Sequence, residues 1–185
     1  MGKSFITNTI EYKEQDYITD PAFPYWLIYR NEDFDVVASK MEFGIFKAFR
    51  DRTLTKTNTH PRGKIRVLKS RNIGNNVIVD IPGYDTYIDD IESLEVGKYL
   101  NKTECVLIPN LSYNPRACFL PQGCIADGSV AILTNTSSDM ITKDDLAYYA
   151  TEEFNHFYSI ARNRGTRSLN IDNNSVFFFG QLRKQ

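Results

Sequence analysis

The residues whose types and spacing best suit chemistry lie in the stretch 64–75, which reads KIRVLKSRNIGN. Its Val and Ile favour a short strand at residues 65–68, and the Ser, Asn and Gly that follow favour a loop. Cations on such a loop can neutralise phosphates, and Arg and Asn can form paired hydrogen bonds with the edges of guanine and adenine. The stretch therefore predicts a contact with nucleic acid.

Other loops carry side chains of the same kinds. Arg71, Asn72 and Asn114 are the residues that we expect to read base edges, and Arg164, Thr166 and Arg167 are expected to form a second contact point. The full set predicted to bind DNA is Arg50, Arg52, Lys56, Arg62, Lys64, Arg66, Lys69, Ser70, Arg71, Asn72, Asn75, Ser112, Tyr113, Asn114, Arg116, Arg164, Thr166 and Arg167.

The charge of the chain is distributed unevenly. The formal net charge is −1, yet residues 40–71 hold ten Lys and Arg against only Glu42 and Asp51. Residues 80–95 are acidic and contain no Lys or Arg. Such asymmetry indicates a polyanionic partner, although a solvated basic face is the ordinary alternative for a run of cations.

A second group of reactive side chains lies late in the sequence. Glu152, Glu153 and His156 have the EExxH spacing of a metal or acid–base site on a helix. Such a site needs a further ligand or a nucleophile, and the sequence offers none nearby, so a salt-bridge network is the other interpretation. The chain contains no GxSxG, no HExxH and no Gly-rich phosphate fingerprint. A small metal-dependent hydrolase remains an alternative, and we expect no cofactor and no metal.

The cysteines and the hydropathy point to a cellular compartment. Cys105, Cys118 and Cys124 are odd in number and form no CxxC pair, which favours buried, reduced thiols. No apolar run approaches a membrane span, and residues 1–10 lack the apolar core of a signal peptide. We therefore expect a cytoplasmic protein without a membrane partner.

The periodicity predicts an α+β fold, with an irregular twisted sheet, a shorter early helix and one long late helix. The early helix is expected in the second part of residues 33–52, and the long helix from the Thr142 cap to Arg164. Strands are expected at residues 23–30, 65–68, 76–81, 104–110, 116–120, 124–133 and 176–180. The expected core residues are Trp26, Leu68, Val79, Leu107, Phe119 and Ile132.

Several runs together resemble a known family. They are GKIRVLKSRNIGNN at residues 63–76, LIPNLSYNPRACFLPQGCIADGSVAIL at 107–133, YSIARNRGTRSLNIDN at 158–173 and VFFFGQL at 176–182. Their order resembles the target-recognition domains of restriction–modification systems. The similarity is greatest to the C-terminal specificity domain of type II adenine-specific DNA methyltransferases, which is related to the recognition domains of type I specificity subunits.

The resemblance implies a mixed α/β domain at residues 43–185 whose loops contact double-stranded DNA. Residues 1–42 would be an N-terminal segment or linker packed on it. The Gly-rich cofactor motif and the Asn/Asp-Pro-Pro-aromatic motif of methyl transfer are missing, and residues 113–116 supply only an Asn-Pro. The resemblance therefore implies a recognition module that is not itself catalytic. S-adenosylmethionine is expected only in a partner methyltransferase, and an endonuclease domain or subunit is the other expected partner. A protein-interaction module that docks through the aromatic face of the late helix is a further alternative.

Overall fold

A computed structural model describes residues 2–3, 10–112, 114–165, 169–172 and 174–184. The α-helices are α1 (Gln15–Ile18), α2 (Glu32–Lys40), α3 (Lys143–Tyr148) and α4 (Glu152–Ala161). The strands are β1 (Gly2–Lys3), β2 (Ile10–Glu11), β3 (Met41–Glu42), β4 (Phe46–Phe49), β5 (Ile65–Leu68), β6 (Thr86–Ile88), β7 (Val106–Pro109), β8 (Leu111–Ser112), β9 (Cys118–Phe119), β10 (Cys124–Ala126), β11 (Val130–Asn135), β12 (Leu169–Asn170) and β13 (Gln181–Leu182). Short 3-10 turns cover Ser70–Asn72, Glu95–Tyr99 and Ser175–Phe178. The fold is α+β, as the sequence predicts.

An antiparallel sheet in the order β4-β11-β7-β9 divides the molecule into two layers. Alternate side chains of a strand point to opposite faces. On β11, Ala131 and Leu133 join one hydrophobic cluster, whereas Val130 and Ile132 join another. Both faces of this sheet are therefore buried, which explains why β7 and most of β11 read as nearly continuous apolar runs.

Helices cover the first face. Asn31 caps α2 by accepting a hydrogen bond from the Phe34 amide at 3.0 Å, and Thr151 caps α4 in the same way. The rings of Phe34 and Phe157 then stack with centroids 4.7 Å apart, which joins the two helices. Leu27 belongs to the same cluster, so residues before position 43 contribute to this core.

A smaller sheet in the order β10-β5-β6 covers the second face. Strand β5 runs parallel to β10 and antiparallel to β6, and Val67 and Leu68 at its end are buried. Three further two-stranded pairs, β1 with β2, β8 with β12 and β3 with β13, complete the described strands. None of the helices in the described part of the chain has the length and apolar character needed to cross a membrane.

The prediction of one long late helix is wrong, because the chain forms two. Thr142 caps helix α3 as predicted, and its hydroxyl accepts a hydrogen bond from the Asp145 amide, but the helix ends at Tyr148. Thr151 then starts α4, since its hydroxyl accepts a hydrogen bond from the Phe154 amide. At the break, Tyr149 is fully buried, and its hydroxyl donates to the Gly180 carbonyl.

The early helix also lies elsewhere than predicted. It occupies Glu32–Lys40, and residues 46–49, which were expected to be helical, instead form β4 on the edge of the central sheet. Gly44 has φ +73°, a left-handed conformation that turns the chain between these elements. The pairing of β4 with β11 outweighs a helical spacing of apolar residues that is also compatible with a half-buried strand.

Three predicted strands are not formed. Residues 23–30 make a series of turns, which suits Pro21 and Pro24, and Trp26 is exposed rather than part of the core. Residues 76–81 contribute only one isolated bridge, between Ile73 and Ile78, and Val79 is exposed. Residues 175–178 form a 3-10 turn. Of the other core predictions, Leu68, Leu107 and Ile132 are confirmed, and Phe119 is half-buried.

Candidate nucleic-acid interface

The candidate site begins where β5 ends. Buried Val67 and Leu68 anchor the strand in the second cluster, and the chain then turns sharply through Ser70–Asn72. The Asn72 side chain closes this turn, because its carbonyl oxygen accepts a hydrogen bond from the Lys69 amide at 2.9 Å. Residues 69–71 are thereby held at the rim of the small sheet.

Two cations of this rim lie against one aromatic ring. Lys69 Nζ is 4.0 Å from the centroid of the Tyr84 ring, and the guanidinium carbon of Arg71 is 4.9 Å from it. Lys69 also donates a hydrogen bond to the Tyr84 carbonyl. Contacts of this kind fix the position of a cation without cancelling its charge.

The pKa of Lys69 is lowered from its ordinary value, chiefly because the ammonium is partly buried. The charges of Asp127 and Asp85 act in the opposite direction, and that of Lys56 lowers the pKa further. Lys56 comes from the loop between β4 and β5. The charges of Asp127 and Asp85 act on Lys69 more strongly than that of Lys56, so the ammonium lies among charges of both signs.

The turn 127–129 links Arg50 to the same rim. Arg50 donates to the Gly128 carbonyl from Nε at 3.3 Å and from Nη2 at 3.2 Å. The Ser70 amide donates to Ser129 Oγ at 2.9 Å. Gly128 is required here, because a Cβ at this position would collide with the Asp51 carbonyl. The structure thus gathers Arg50, Lys56, Lys69 and Arg71, which we call the basic surface.

Most of the ten cations in residues 40–71 form no ion pair with a carboxylate of the described residues. Lys40 pairs with Glu153, and Arg66 pairs with Asp80 and Asp85. Among the residues that the structure describes, no carboxylate forms an ion pair with Lys47, Arg50, Arg52, Lys56, Arg62, Lys64, Lys69 or Arg71. The positive charge inferred from the sequence therefore persists at this surface.

Two predicted contact residues are used inside the protein instead. The Arg66 side chain is only 18% exposed and is held by two carboxylates, including Asp85 at 2.9 Å. Asn72 is fully buried, and its amide donates to Asp85 Oδ1 at 2.6 Å and to the Val79 carbonyl at 2.9 Å. Arg66 is mostly enclosed and already ion-paired, and Asn72 is fully buried, so we remove both from the expected DNA contacts. The expectation that Asn72 reads a base edge is therefore wrong, because the Asn72 side chain is buried and bonded to Asp85.

The remaining candidates of the first half lie around this rim. Arg52, Arg62, Lys64 and Asn75 are exposed. A bridge between His60 and Tyr87 fixes the loop that carries Arg62 against β6. Arg116 supports the rim from inside, since it donates from Nε to the Ile73 carbonyl at 2.6 Å and from Nη2 to the Ser70 carbonyl at 3.2 Å. Burial lowers the pKa of the Arg116 guanidinium.

Two candidates of the second half, Asn114 and Arg164, lie at α4 or just after it. Asn114 accepts a hydrogen bond from the Asn155 amide group at 2.9 Å. Arg164 follows the end of α4 and lies 5.9 Å from the Tyr29 ring centroid. Ser112 belongs to β8, which pairs with β12. Tyr113, Thr166 and Arg167 lie outside the described residues.

Two residues of the EExxH motif, Glu153 and His156, join α4 to α2. Glu153 accepts hydrogen bonds from Lys40 Nζ at 2.5 Å and from the Tyr148 hydroxyl at 2.8 Å, and the bond from Lys40 is the main reason that the pKa of Glu153 is lowered. His156 Nε2 lies 3.3 Å from Asp33 Oδ2. Within the described ranges, no three His, Cys, Asp or Glu side chains are placed to hold a metal ion. These contacts match the salt-bridge interpretation of the motif.

The aromatic face of the late helix is not a surface. Phe154, Phe157 and Tyr158 are buried in the first cluster, where they pack on Phe178 and Phe179. The protein-interaction alternative based on this face is therefore wrong, because the protein's own core covers it.

Tyr84 and Asp85 are the site residues that the sequence did not reveal. The ring of Tyr84 organises Lys69 and Arg71, and Asp85 holds both Arg66 and Asn72. The acidic residues 80–95 were the available signal in the sequence for these pairings. They follow the cations of residues 40–71, and opposite charges close in sequence often pair. No pattern in the sequence indicates which acid turns inward.

A scan against protein-family models gives no match, and a search of curated proteins finds no relative.

Proposed function

We propose that this chain is a sequence-specific DNA-recognition module of a restriction–modification enzyme. It directs an adenine methyltransferase, an endonuclease or both to a target and is not catalytic itself. The observation that carries the proposal is the basic surface, where Lys69 and Arg71 lie on the Tyr84 ring and where Arg50 is fixed to the turn 127–129. The motif order that resembles target-recognition domains supports it.

The electrostatics of this surface suit a phosphate backbone. The Tyr84 ring positions Lys69 and Arg71, and main-chain carbonyls position Arg50 and Lys69. No ion-paired carboxylate therefore has to be displaced from these three cations when a phosphate arrives. Pre-positioned cations lose little side-chain entropy on binding. Each phosphate that they neutralise releases condensed counterions, which makes affinity depend steeply on salt.

Arg71 is the residue to which we assign base reading. It is exposed, and its guanidinium plane is supported by Tyr84. Such a side chain suits the paired contact with the O6 and N7 of guanine in a major groove. Asn75 is exposed in the turn that follows and takes the place of Asn72 as the amide that reads adenine.

The test is a binding titration of the full chain with a random-sequence duplex at several salt concentrations. We expect the logarithm of the binding constant to fall linearly with the logarithm of salt concentration. Lys56→Ala should reduce the magnitude of that slope by about one unit. Lys184→Ala is the matched control, because Lys184 is exposed but pairs with Asp139, away from the basic surface. Absence of salt-dependent binding would refute the DNA proposal.

The base-reading role is tested after a target has been selected from a random duplex library. Arg71→Ala should weaken binding to the selected duplex by about 1–3 kcal/mol more than binding to a random one. An equal loss on both duplexes would make Arg71 a phosphate contact. S-adenosylmethionine would be bound by the partner methyltransferase. Adding that methyltransferase should leave the DNA sequence that this chain selects unchanged.

A further inference from the structure

Two valines form one exposed apolar patch on the hairpin that covers residues 72–79. Its Gly74 amide donates to the Val77 carbonyl at 2.8 Å, and its Val79 amide donates to the Asn72 carbonyl at the same distance of 2.8 Å. Val77 and Val79 are 52% and 41% exposed. A Cβ built on Gly74 would lie 2.7 Å from Val77 Cγ1 and 3.4 Å from Val79 Cγ2. Both side chains therefore lie against the same glycine, and we call this patch the valine face.

The backbone of this hairpin is anchored on the rest of the protein. Ile73 and Ile78, which form its bridge, pack in the hydrophobic cluster under the small sheet. At the tip, the Asn76 main-chain amide donates to the Ala117 carbonyl at 2.8 Å, and the Asn76 side-chain amide donates to the Lys143 carbonyl at 2.9 Å. The valine face is therefore presented on a fixed backbone, which reduces the entropy lost on binding.

The valine face belongs to the same segment as the residues to which we assign base reading. Arg71 immediately precedes the hairpin, and Asn75 is exposed at its tip. The Asn72 side chain joins the start of the hairpin to its end, since its amide donates to the Val79 carbonyl at 2.9 Å. The major groove admits a two-stranded ribbon, and an A·T pair presents there both the adenine edge that Asn reads and the thymine 5-methyl group. A hairpin with an exposed Asn and an exposed apolar face suits such a base pair.

The charges around the hairpin are of both signs and largely cancel. Arg71 precedes it, Asp80 follows it and is paired with Arg66, and the exposed Lys143 and Asp144 adjoin its tip. The hairpin therefore adds little to the attraction for phosphates. Contact with base edges, which specify sequence rather than supply the electrostatic part of the affinity, is what such a surface can contribute.

We propose that Val77, with Val79 beside it, contacts the 5-methyl group of a thymine in the DNA target. This inference rests on the DNA-recognition function proposed above and adds a base-specific contact to it. Apolar contact with the thymine methyl group is a form of direct readout in the major groove. Burial of one methyl group corresponds to about a fourfold gain in affinity.

The test replaces each thymine of the selected duplex, one at a time, by deoxyuridine, which lacks only the 5-methyl group. The wild-type chain should bind about fourfold more weakly when the contacted thymine is replaced. Val77→Ala should bind the thymine and deoxyuridine duplexes equally, because the apolar contact is already lost. Val36→Ala is the matched control and should retain the fourfold difference, since Val36 is 51% exposed but belongs to α2, which packs in the other hydrophobic cluster.

Two results would overturn this proposal. One is that no replacement of a thymine weakens binding by the wild-type chain, and the other is that Val77→Ala keeps the full fourfold difference. Urea denaturation checks the folding of each variant, and Val77→Ser takes the place of Val77→Ala if that variant does not fold. The salt dependence of binding to a random duplex should be the same in wild type and Val77→Ala. If salt-dependent binding is present and deoxyuridine has no effect, the DNA proposal stands and the thymine contact alone is wrong.

Discussion

Asp85 should be a major determinant of the stability of the small sheet and of the rim that it carries. Its two carboxylate oxygens accept hydrogen bonds from Arg66 at 2.9 Å, from the Asn72 amide group at 2.6 Å and from the Ile81 amide at 3.0 Å. The change that isolates this role is Asp85→Asn, which keeps the shape of the side chain and removes its charge.

The expected loss in the free energy of unfolding follows from the burial of Asp85 and its partners. The Asp85 and Arg66 side chains are 15% and 18% exposed, and Asn72 is fully buried. A hydrogen bond to a charged group contributes about 1.5–3 kcal/mol, and leaving a buried donor without a partner has a similar cost. An Asn at position 85 has one carbonyl oxygen in place of two carboxylate oxygens, so it keeps at most the two bonds from Arg66 and Ile81, and without the charge. We therefore expect a loss of about 2–3 kcal/mol in the free energy of unfolding.

Asp80→Asn provides the matched control. Asp80 also pairs with Arg66, but its side chain is 80% exposed, and exposed ion pairs contribute about 0–1 kcal/mol. Urea denaturation of both variants at neutral pH, followed by circular dichroism, measures the difference. Equal losses in the two variants would refute the argument from burial.

The effect should also depend on pH. Burial acts to raise the pKa of Asp85, but the Ile81 and Asn72 hydrogen bonds and the charge of Arg66 outweigh it, so the pKa is lowered from the ordinary value of 3.8. The stabilisation is therefore present above pH 3.8 and is lost as the pH falls through the lowered pKa of the folded state. The difference between wild type and Asp85→Asn should shrink in acid, and a difference that stays constant down to pH 2 would contradict this assignment.

Three further predictions concern other parts of the fold. Gly180→Ala should destabilise the protein by about 1–3 kcal/mol in urea denaturation, because the new Cβ would collide with the Glu42 carbonyl; an unchanged midpoint would contradict this. Arg164→Gly should raise the free energy of unfolding by about 0.5 kcal/mol, because Arg164 has φ +48°, and a lower melting temperature would count against it. Cys118 should resist Ellman's reagent in the native protein at pH 8, because burial raises the pKa of its thiol to about 12, whereas half-buried Cys124 should react before it.

Local signals in the sequence predicted the parts of the fold that depend on neighbouring residues. Thr142 and the acids after it marked the start of α3, and the Val and Ile of residues 65–68 marked β5. The expected helix at 45–49 failed because its apolar spacing also suits a strand, and only the distant partner β11 decides between the two. The buried position of Trp26 failed because Pro21 and Pro24 prevent the strand that would have placed it inside.

The candidate site could also be predicted from the sequence only in part. The excess of cations in residues 40–71 was visible in the sequence, and the structure leaves most of them without an acidic partner. Which cations remain available was not visible, because Arg66 and Asn72 turn towards Asp85, more than ten positions further along the chain. The support of Lys69 and Arg71 by Tyr84 likewise depends on the pairing of β5 with β6.

The parallel pairing of β5 with β10 has a consequence for the order of folding. Val67 pairs with Ile125, and the Ser70 amide bonds to Ser129, so the basic segment depends on residues that leave the ribosome much later. Long loops must close before such contacts can form, and parallel pairing is therefore expected to come late. A nascent chain that ends before residue 124 would display the cations without their final arrangement, and it would be expected to bind nucleic acid without discrimination.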